Sequence, residues 1–328
     1  MLKITFKDVG HGDSIIIEWQ KDAINKIGII DCNSNNGNPT LDYISKSGFS
    51  VIDFIILSHP HYDHFSGLTS LLEHCESKRI IIKKFLHTSA QVPQYLRLAT
   101  RTAKASNELA LLFKKINDLW KKKIIEYQTY ISDDCADIKL TDELNLKFLS
   151  PSVTEFEAFL KNNPIFQEED GDNKNESNWL STIIKIYTSE WYVLLTSDVT
   201  KQALKRVGIQ KKKEFLTMLK LGQSPHHGSA ANHYEAFWKT KKYEKDTPIV
   251  FSVGKNIYRH PSEETVSFFS DKKNNFKIHS TNKIGALDFF GDSLEVDKIG
   301  SFLDLAGCEE ILAPNKSNQL QGDQTFTF

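Results

Sequence analysis

Residues 58–64 read Ser-His-Pro-His-Tyr-Asp-His, which places four side chains of metal-ligand type, His59, His61, Asp63 and His64, in one short loop. His59 and His61 are two apart and point the same way from an extended segment, and Asp63 and His64 follow within reach. Imidazole nitrogen suits zinc and similar borderline ions, and a carboxylate supports a second ion, so the chemistry on offer is that of two adjacent divalent metals. Four ligands are too few for two ions. Further candidates stand where other apolar runs end: Asp198 closes WYVLLTSD, where a carboxylate could bridge two ions, and His226 and His227 sit in SPHHGS. Asp31, ending IGIID, is either a helix cap or a carboxylate that orients a ligand histidine. A metal-activated water needs no Ser or Cys nucleophile, and none of Cys32, Cys75, Cys135 and Cys308 has a histidine partner visible in the sequence.

Such a cluster needs elements to hold it. Short apolar runs at 2–6, 14–19, 26–31 and 54–57 read as strands of one sheet, and residues 40–47 read as a helix capped by Thr40. A helix over 67–75 and a strand over 79–86 follow the histidine cluster. Between 93 and 125, Leu109, Leu112, Phe113, Ile116, Leu119 and Trp120 fall at three- and four-residue spacings, which predicts an amphipathic helix. A second sheet draws on 144–149, a hairpin of 181–187 with 191–196, then 215–221, 249–253 and a closing hairpin around 276–290. The acidic stretch 168–177 reads as a solvated loop with the wrong spacing for calcium. Two β-rich halves, each followed by helices, predict an α/β fold of αββα sandwich type. The expected organisation is one domain over 1–312, a helical insertion at 90–126 and a flexible tail at 313–328.

Composition excludes little. Forty-one basic residues against 42 acidic ones leave a formal charge of −1, so no overall field favours nucleic acid or membrane. Local basic stretches exist at 101–123 and at 201–220, the latter with seven positive residues and one negative, but solvated helix faces look the same. Scattered cysteines fit a reducing cytoplasm, and the absence of a long apolar run predicts no membrane association.

With these motifs on the page, the chain resembles the metallo-β-lactamase fold, and within it the ComEC-like subgroup with its free-standing bacterial relatives. DVGHGDSIIIE at 8–18, with Asp13, is similar to that subgroup's VGQGDS strand; IIDC at 29–32 to its IIDTG; SHPHYDH to its main ligand motif. Asn178 and Ser181 resemble its NxxS segment, TSD at 196–198 its TGD, PHHGS at 225–229 its HHGS, and VGKNIYRHP at 253–261 its VGKNxYGHP.

The resemblance implies a four-layer αββα hydrolase holding two divalent ions, zinc or manganese. His59, His61, Asp63 and His64 are then ligands, Asp198 bridges, and one of His226 and His227 completes the site. Asn178 stands where other branches place a third histidine, which implies that one ion is weakly held or absent. Asp63 and Asp198 would orient the water, and His260 would contact phosphate or donate a proton. Asp13, Asp31 and Ser181 would lie around the ligands or substrate, as would Arg259, which replaces a glycine, and His11, which replaces a glutamine. The expected activity is a phosphodiesterase or nuclease acting on DNA. The alternatives are a small-molecule phosphodiester or ester hydrolase, and a partner-regulated effector module, for example in bacterial defence, that docks a protein or itself through helix 93–125.

Overall fold

The central strands, IIIEW, FIIL and WYVLL among them, are apolar on both faces, so each sheet must be covered on both sides there. The computed structural model describes residues 1–89, 100, 102–162, 177–289 and 322–328. Its first half comprises Leu2–Phe6 (β1), Ile15–Lys21 (β2), Ile24–Ile30 (β3), Pro39–Ser47 (α1), Val51–Ile52 (β4), Phe54–Leu57 (β5), Tyr62–Phe65 (α2), Leu68–Lys78 (α3), Ile81–His87 (β6), Ala103–Lys121 (α4) and Ile125–Tyr130 (β7). The second half comprises Ile138–Lys139 (β8), Asn145–Phe148 (β9), Val153–Asn162 (α5), Ile184–Tyr187 (β10), Trp191–Leu195 (β11), Lys201–Gln210 (α6), Met218–Gln223 (β12), Glu235–Lys239 (α7), Lys242–Tyr243 (β13), Thr247–Phe251 (β14), Glu263–Ser270 (α8), Phe276–Ser280 (β15), Ala286–Phe289 (α9) and Gln324–Thr327 (β16).

Among the described residues these form two eight-stranded sheets, ordered β16-β1-β2-β3-β5-β6-β4 with β7 on β6, and β15-β14-β12-β11-β10-β9-β8 with β13 on β12. Period-two alternation assigns the layers. In β2, Ile15, Ile17 and Trp19 enter the core between the sheets with Phe54, Phe148, Val193 and Leu195, whereas Ile16 faces the helices α1, α3 and α4. In β11, Val193 and Leu195 face inward, while Tyr192 and Leu194 pack outward against Leu204, Trp238 and Phe269 of α6, α7 and α8. The result is the expected αββα sandwich.

Several local expectations change. The cap of α1 is Asn38, whose Oδ1 accepts from Leu41 N at 3.0 Å; Thr40 is buried in the first turn behind Pro39. The helix expected over 93–125 spans Ala103–Lys121, and Ile125 already belongs to β7, parallel to β6. Of the insertion's beginning, residues 90–99 and 101 lie outside the described residues. The apolar stripe of α4, from Leu109 to Leu119, is consumed in the core, leaving Leu111 and Trp120 exposed. Among the described residues no hairpin closes the second sheet: β15 pairs in parallel with β14 and is followed by α9. The end of the expected flexible tail is also ordered, because β16 pairs antiparallel with β1 and its Phe326 packs on the core. Residues 313–321 of that tail, and 168–176 of the acidic stretch, lie outside the described residues, whereas Ser177 is buried. No helix among the described residues is long and apolar enough to cross a membrane.

The basic stretches are paired only in part: Lys205, Lys212 and Lys213 of the one and Lys114 and Lys121 of the other stay exposed. Arg206, nearly buried, reaches Glu155 at 2.5 Å and Asp133 at 2.9 Å, and Lys211 also meets Asp133 at 2.9 Å. Glu214 holds Lys147 and Lys185, Glu244 holds Lys220, and Lys115 of α4 and Lys122 just after it share Glu76. Removing one partner of a buried pair leaves an uncompensated charge. Arg206→Ala is therefore expected to cost about 3–5 kcal/mol in denaturant unfolding; a loss under about 1 kcal/mol would show that Lys211 and solvent compensate.

Lys241 provides a pH signature. Its amine lies 3.7 Å from the ring centroids of both Phe215 and Phe237, and burial pushes it down to about 7. Above that pH the unfolded chain still binds the proton that the folded chain has released, so stability rises with pH up to the ordinary lysine value. The stability of the wild type relative to Lys241→Met should thus increase between about pH 7 and pH 10, as read from paired urea melts. A constant difference would mean that the two ring faces keep the amine charged.

Candidate metal centre

The ligand loop begins at the carboxyl end of β5, which lies beside β3 in parallel register, so Asp31 arrives next to Ser58. Asp31 holds a left-handed backbone, φ 58°, and its carboxylate clamps the loop. Oδ1 accepts from Ser58 N at 2.8 Å, and Oδ2 accepts from Ser58 Oγ at 2.6 Å and faces His64 Nδ1 at 2.7 Å. Of the two readings of Asp31, the structure places it as the carboxylate that fixes His64. His61 is extended and α2 starts immediately after it, which puts Asp63 and His64 in one helical turn. The β1–β2 turn approaches from the other side. Gly12, at φ 125°, brings its backbone so near that a Cβ would meet Asp63 O at 2.2 Å. This lets Asp13 N donate to Asp63 O at 3.1 Å.

The second sheet contributes in the same way. β11, β12 and β14 run parallel, and their carboxyl ends deliver Asp198, His226 and His227, and Ser252. Ser197, His226 and His227 are all left-handed, at φ 45°, 48° and 53°. Backbone strain of this kind persists only where surrounding structure enforces it, and it concentrates here.

Asp198 is the meeting point. Its Oδ1 faces His64 Nε2 at 3.5 Å and His227 Nε2 at 3.4 Å; its Oδ2 faces His59 Nε2 at 3.6 Å and His226 Nε2 at 3.3 Å. Two groups of metal-ligand type share it: Asp63, His64, His227 and Asp198 in one, His59, His61 and Asp198 in the other, with the ligand atoms of each group within 4.8 Å of one another. The choice between the HHGS histidines is made by geometry. His227 Nδ1 donates to the Ser252 carbonyl at 2.7 Å, leaving Nε2 beside Asp63 and Asp198. His226 belongs to the other side, with Nδ1 against Asn232 Oδ1 at 2.9 Å and 3.3 Å from Asn178 Nδ2.

The donors fit a divalent cation. His59 Nε2, His64 Nε2, His227 Nε2, both carboxylate oxygens of Asp198 and Asn178 Oδ1 are buried without a hydrogen-bond partner. Buried polar atoms are otherwise almost always satisfied, and the histidine and Asp198 atoms among these belong to the two groups that share Asp198. Charge argues the same way. Burial opposes protonation of His64 and His227, yet neighbouring carboxylates, Asp198 foremost, hold His64 well above its ordinary value and His227 at about 9. Despite burial, the histidines hold Asp63 and Asp198 well below theirs. The cluster thus demands positive charge, which protons supply in the absence of a metal.

Around the ligands lies a cavity of about 350 Å³ walled by His11, His61, Asp63, Asp198, His226, Tyr258 and His260, and by Tyr62, Thr100, Thr102, Lys104 and Ala105. His11 is buried, its ring centroid 4.4 Å from that of His227. Burial, followed by His226 and His227, lowers His260 to about 4, so at neutral pH it is an uncharged hydrogen-bonding group. Arg259 is exposed and outside the cavity lining, and Ser181 is buried behind the site, not in its wall. Asp13 accepts from Gln223 Nε2 at 2.8 Å and stands 3.9 Å from His64 Nδ1.

Gln223 escapes sequence reading although it is central: its Oε1 also accepts from the backbone of Thr196 and Ser197, fixing the approach to Asp198. Its signal was its place at the end of β12, one turn before the histidine pair. Ser177, whose Oγ is 2.5 Å from His61 Nε2, is hidden at the end of an acidic run.

A model of the metallo-beta-lactamase superfamily matches residues 50–120, the segment holding the ligand loop. The chain carries a metallo-β-lactamase superfamily domain. Over 249 residues it is 22% identical to ComE operon protein 3 of Bacillus subtilis, covering 76% of this chain and 26% of the relative, so it spans about a quarter of that protein's length. Among solved structures, the metallo-beta-lactamase fold protein YhfI from Bacillus subtilis aligns with 87% of this chain and 98% of its own at 11% identity and a TM-score of 0.45. Zn-bound PqqB from Methylobacterium extorquens aligns with 85% and 97% at 9% identity and a TM-score of 0.45. In the metallo-β-lactamase domain described here, the matched segment supplies His59, His61, Asp63 and His64, and the remaining ligand candidates come from the second sheet.

If Asp31 orients His64, Asp31→Asn keeps the shape but removes the charge behind the ring. Loss of such a partner typically lowers metal affinity about 10- to 100-fold. Titration against a chelating indicator should show that drop for Zn²⁺; an unchanged affinity would mean that packing alone holds His64.

Proposed function

We propose that this protein is a metal-dependent phosphodiesterase acting on DNA, with two divalent ions held by the two groups that share Asp198. The observation that carries this reading is the span of that carboxylate, one oxygen toward His64 and His227 and the other toward His59 and His226, with both oxygens otherwise unpartnered. When bound, such ions acidify a water and draw charge from a phosphoryl oxygen, which is the chemistry a phosphodiester needs.

The chain's own groups supply orientation. Asp198 and Asp63 face the same space from opposite elements and fix where a water is deprotonated. His64 and His227 have their outer nitrogens committed to Asp31 and to the Ser252 carbonyl, so each offers Nε2 inward. His226, held through Nδ1 by Asn232, turns Nε2 toward Asp198 Oδ2 at 3.3 Å, on the same side as His59. His260, uncharged, contributes a hydrogen bond to the phosphate and not a positive charge. DNA as the substrate follows the expectation that the resemblance to the ComEC-like subgroup carries.

Zinc and manganese both suit the donor set of imidazole and carboxylate. A small phosphodiester is the second reading, favoured by a cavity of about 350 Å³, within the range of small-molecule sites.

Purified protein loaded with Mn²⁺ or Zn²⁺ is incubated with single- and double-stranded DNA, RNA and bis-p-nitrophenyl phosphate, beside Asp198→Ala. The expected outcome is DNA cleavage by the wild type, a loss of at least about a thousand-fold in the variant, and two ions per chain by elemental analysis, reduced in the variant. Turnover of the small ester alone supports the second reading. A metal-loaded protein inert on the whole panel overturns both.

A further inference from the structure

The loop that follows β14 has features the metal centre does not use. Gly254 is packed so tightly on the β1–β2 turn that a Cβ would meet Gly10 C at 2.2 Å. Asn256 then ties the loop to itself. Its Nδ2 donates to Gly254 O at 2.9 Å and His260 O at 2.8 Å, and its Oδ1 accepts from Tyr258 N and His260 N, each at 3.0 Å. Arg259 turns the chain back at φ 59°. A loop built this rigidly is expected to keep its side chains inside. Instead it exposes Ile257 at 88%, Tyr258 at 50%, and Arg259.

Tyr258 also belongs to the cavity wall, its ring 5.8 Å from that of His260 at 24° and 6.0 Å from that of His11. Aromatic faces therefore continue from the ligand groups to the mouth. Apolar Ile257, aromatic Tyr258 and cationic Arg259 stand exposed in succession on this loop, with Tyr258 in the cavity wall, and such a set matches a ligand that is flat, apolar on its faces and charged at its edge. A nucleotide whose base is out of the duplex has that chemistry.

We propose that Tyr258 is a specificity-determining residue on which the base next to the scissile phosphate stacks, so that the protein acts on unpaired strands with little regard to sequence. This rests on the phosphodiesterase reading above. Stacking requires an exposed π-face, which a paired base in a duplex does not offer, and every base has one, so strand state is selected and base identity is not. The preorganisation by Asn256 means that the loop loses little freedom when a base docks.

The test uses the metal-loaded full chain, Tyr258→Ala and Tyr258→Phe, with an oligo(dT) strand, its duplex, and strands carrying one abasic residue at successive positions. Circular dichroism and thermal melting establish that the variants are folded. The wild type should prefer the single strand, and an abasic residue beside the cleaved bond should raise KM about ten-fold, the worth of one base–aromatic stack. Tyr258→Ala should raise KM on the intact strand by a similar factor and show no further penalty from the abasic residue; Tyr258→Phe should behave as wild type. Equal losses for Tyr258→Ala on intact and abasic strands, or equal cleavage of duplex and single strand by the wild type, overturn the proposal. Absence of any phosphodiester cleavage by the wild type, bis-p-nitrophenyl phosphate included, instead fails the reading on which it rests.

Discussion

Four carboxylates, Asp13, Asp31, Asp63 and Asp198, crowd around His64 in a largely buried space. That concentration of negative charge is the constraint on which the arrangement depends. A buried carboxylate is tolerable only when hydrogen-bonded or matched by positive charge. Asp31 and Asp13 meet the condition through neutral donors, Ser58 and Gln223. Asp198 does not, and its two bare oxygens are the reason the site calls for a cation. The division of labour follows: carboxylates with protein donors orient, and the carboxylate without them binds.

Meeting that constraint requires strand ends from two sheets to face one another. β3 and β5 are parallel neighbours, as are β11, β12 and β14, so within each sheet the carboxyl ends line up. The core between the sheets, built on Phe54, Phe148, Val193 and Leu195, fixes how those two rows of ends meet. The site-forming turns then accept strained backbones at Asp31, Ser197, His226 and His227. Parallel pairing supplies the coarse placement, and left-handed residues supply the final aim.

The ligand loop was legible in sequence because its chemistry is local: His59, His61, Asp63 and His64 need only a strand end and one helical turn. The sandwich was legible for a similar reason, since apolar runs such as IIIEW and WYVLL alternate between two buried layers. What escaped was non-local. Gln223 reads as an ordinary polar residue until β12 lies between β11 and β14, and Ser177 reads as the end of an acidic loop until it reaches His61. Pairing of β16 with β1 links residues more than three hundred positions apart, which no local pattern announces. The choice of His227 over His226 likewise depended on the Ser252 carbonyl, which arrives on a different strand.

The same distinction between local pattern and tertiary partner governs how a polyanion would be held. In sequence, 201–220 and the helix near 101–123 look like tracks for phosphates. In the fold, Arg206 and Lys211 are committed to Asp133, with Arg206 also on Glu155, and Lys115 and Lys122 to Glu76, whereas Lys205, Lys212, Lys213, Lys114 and Lys121 stay exposed, so the two tracks are interrupted but not neutralised. A strand bound through many lysines is gripped along its length and released steeply by salt. The built contacts lie at one cavity: the ligand side chains at its floor, uncharged His260 on its wall, Tyr258 at its rim. Under the proposed reading, recognition is therefore confined to the nucleotides flanking the bond that breaks, and the rest of the substrate can vary.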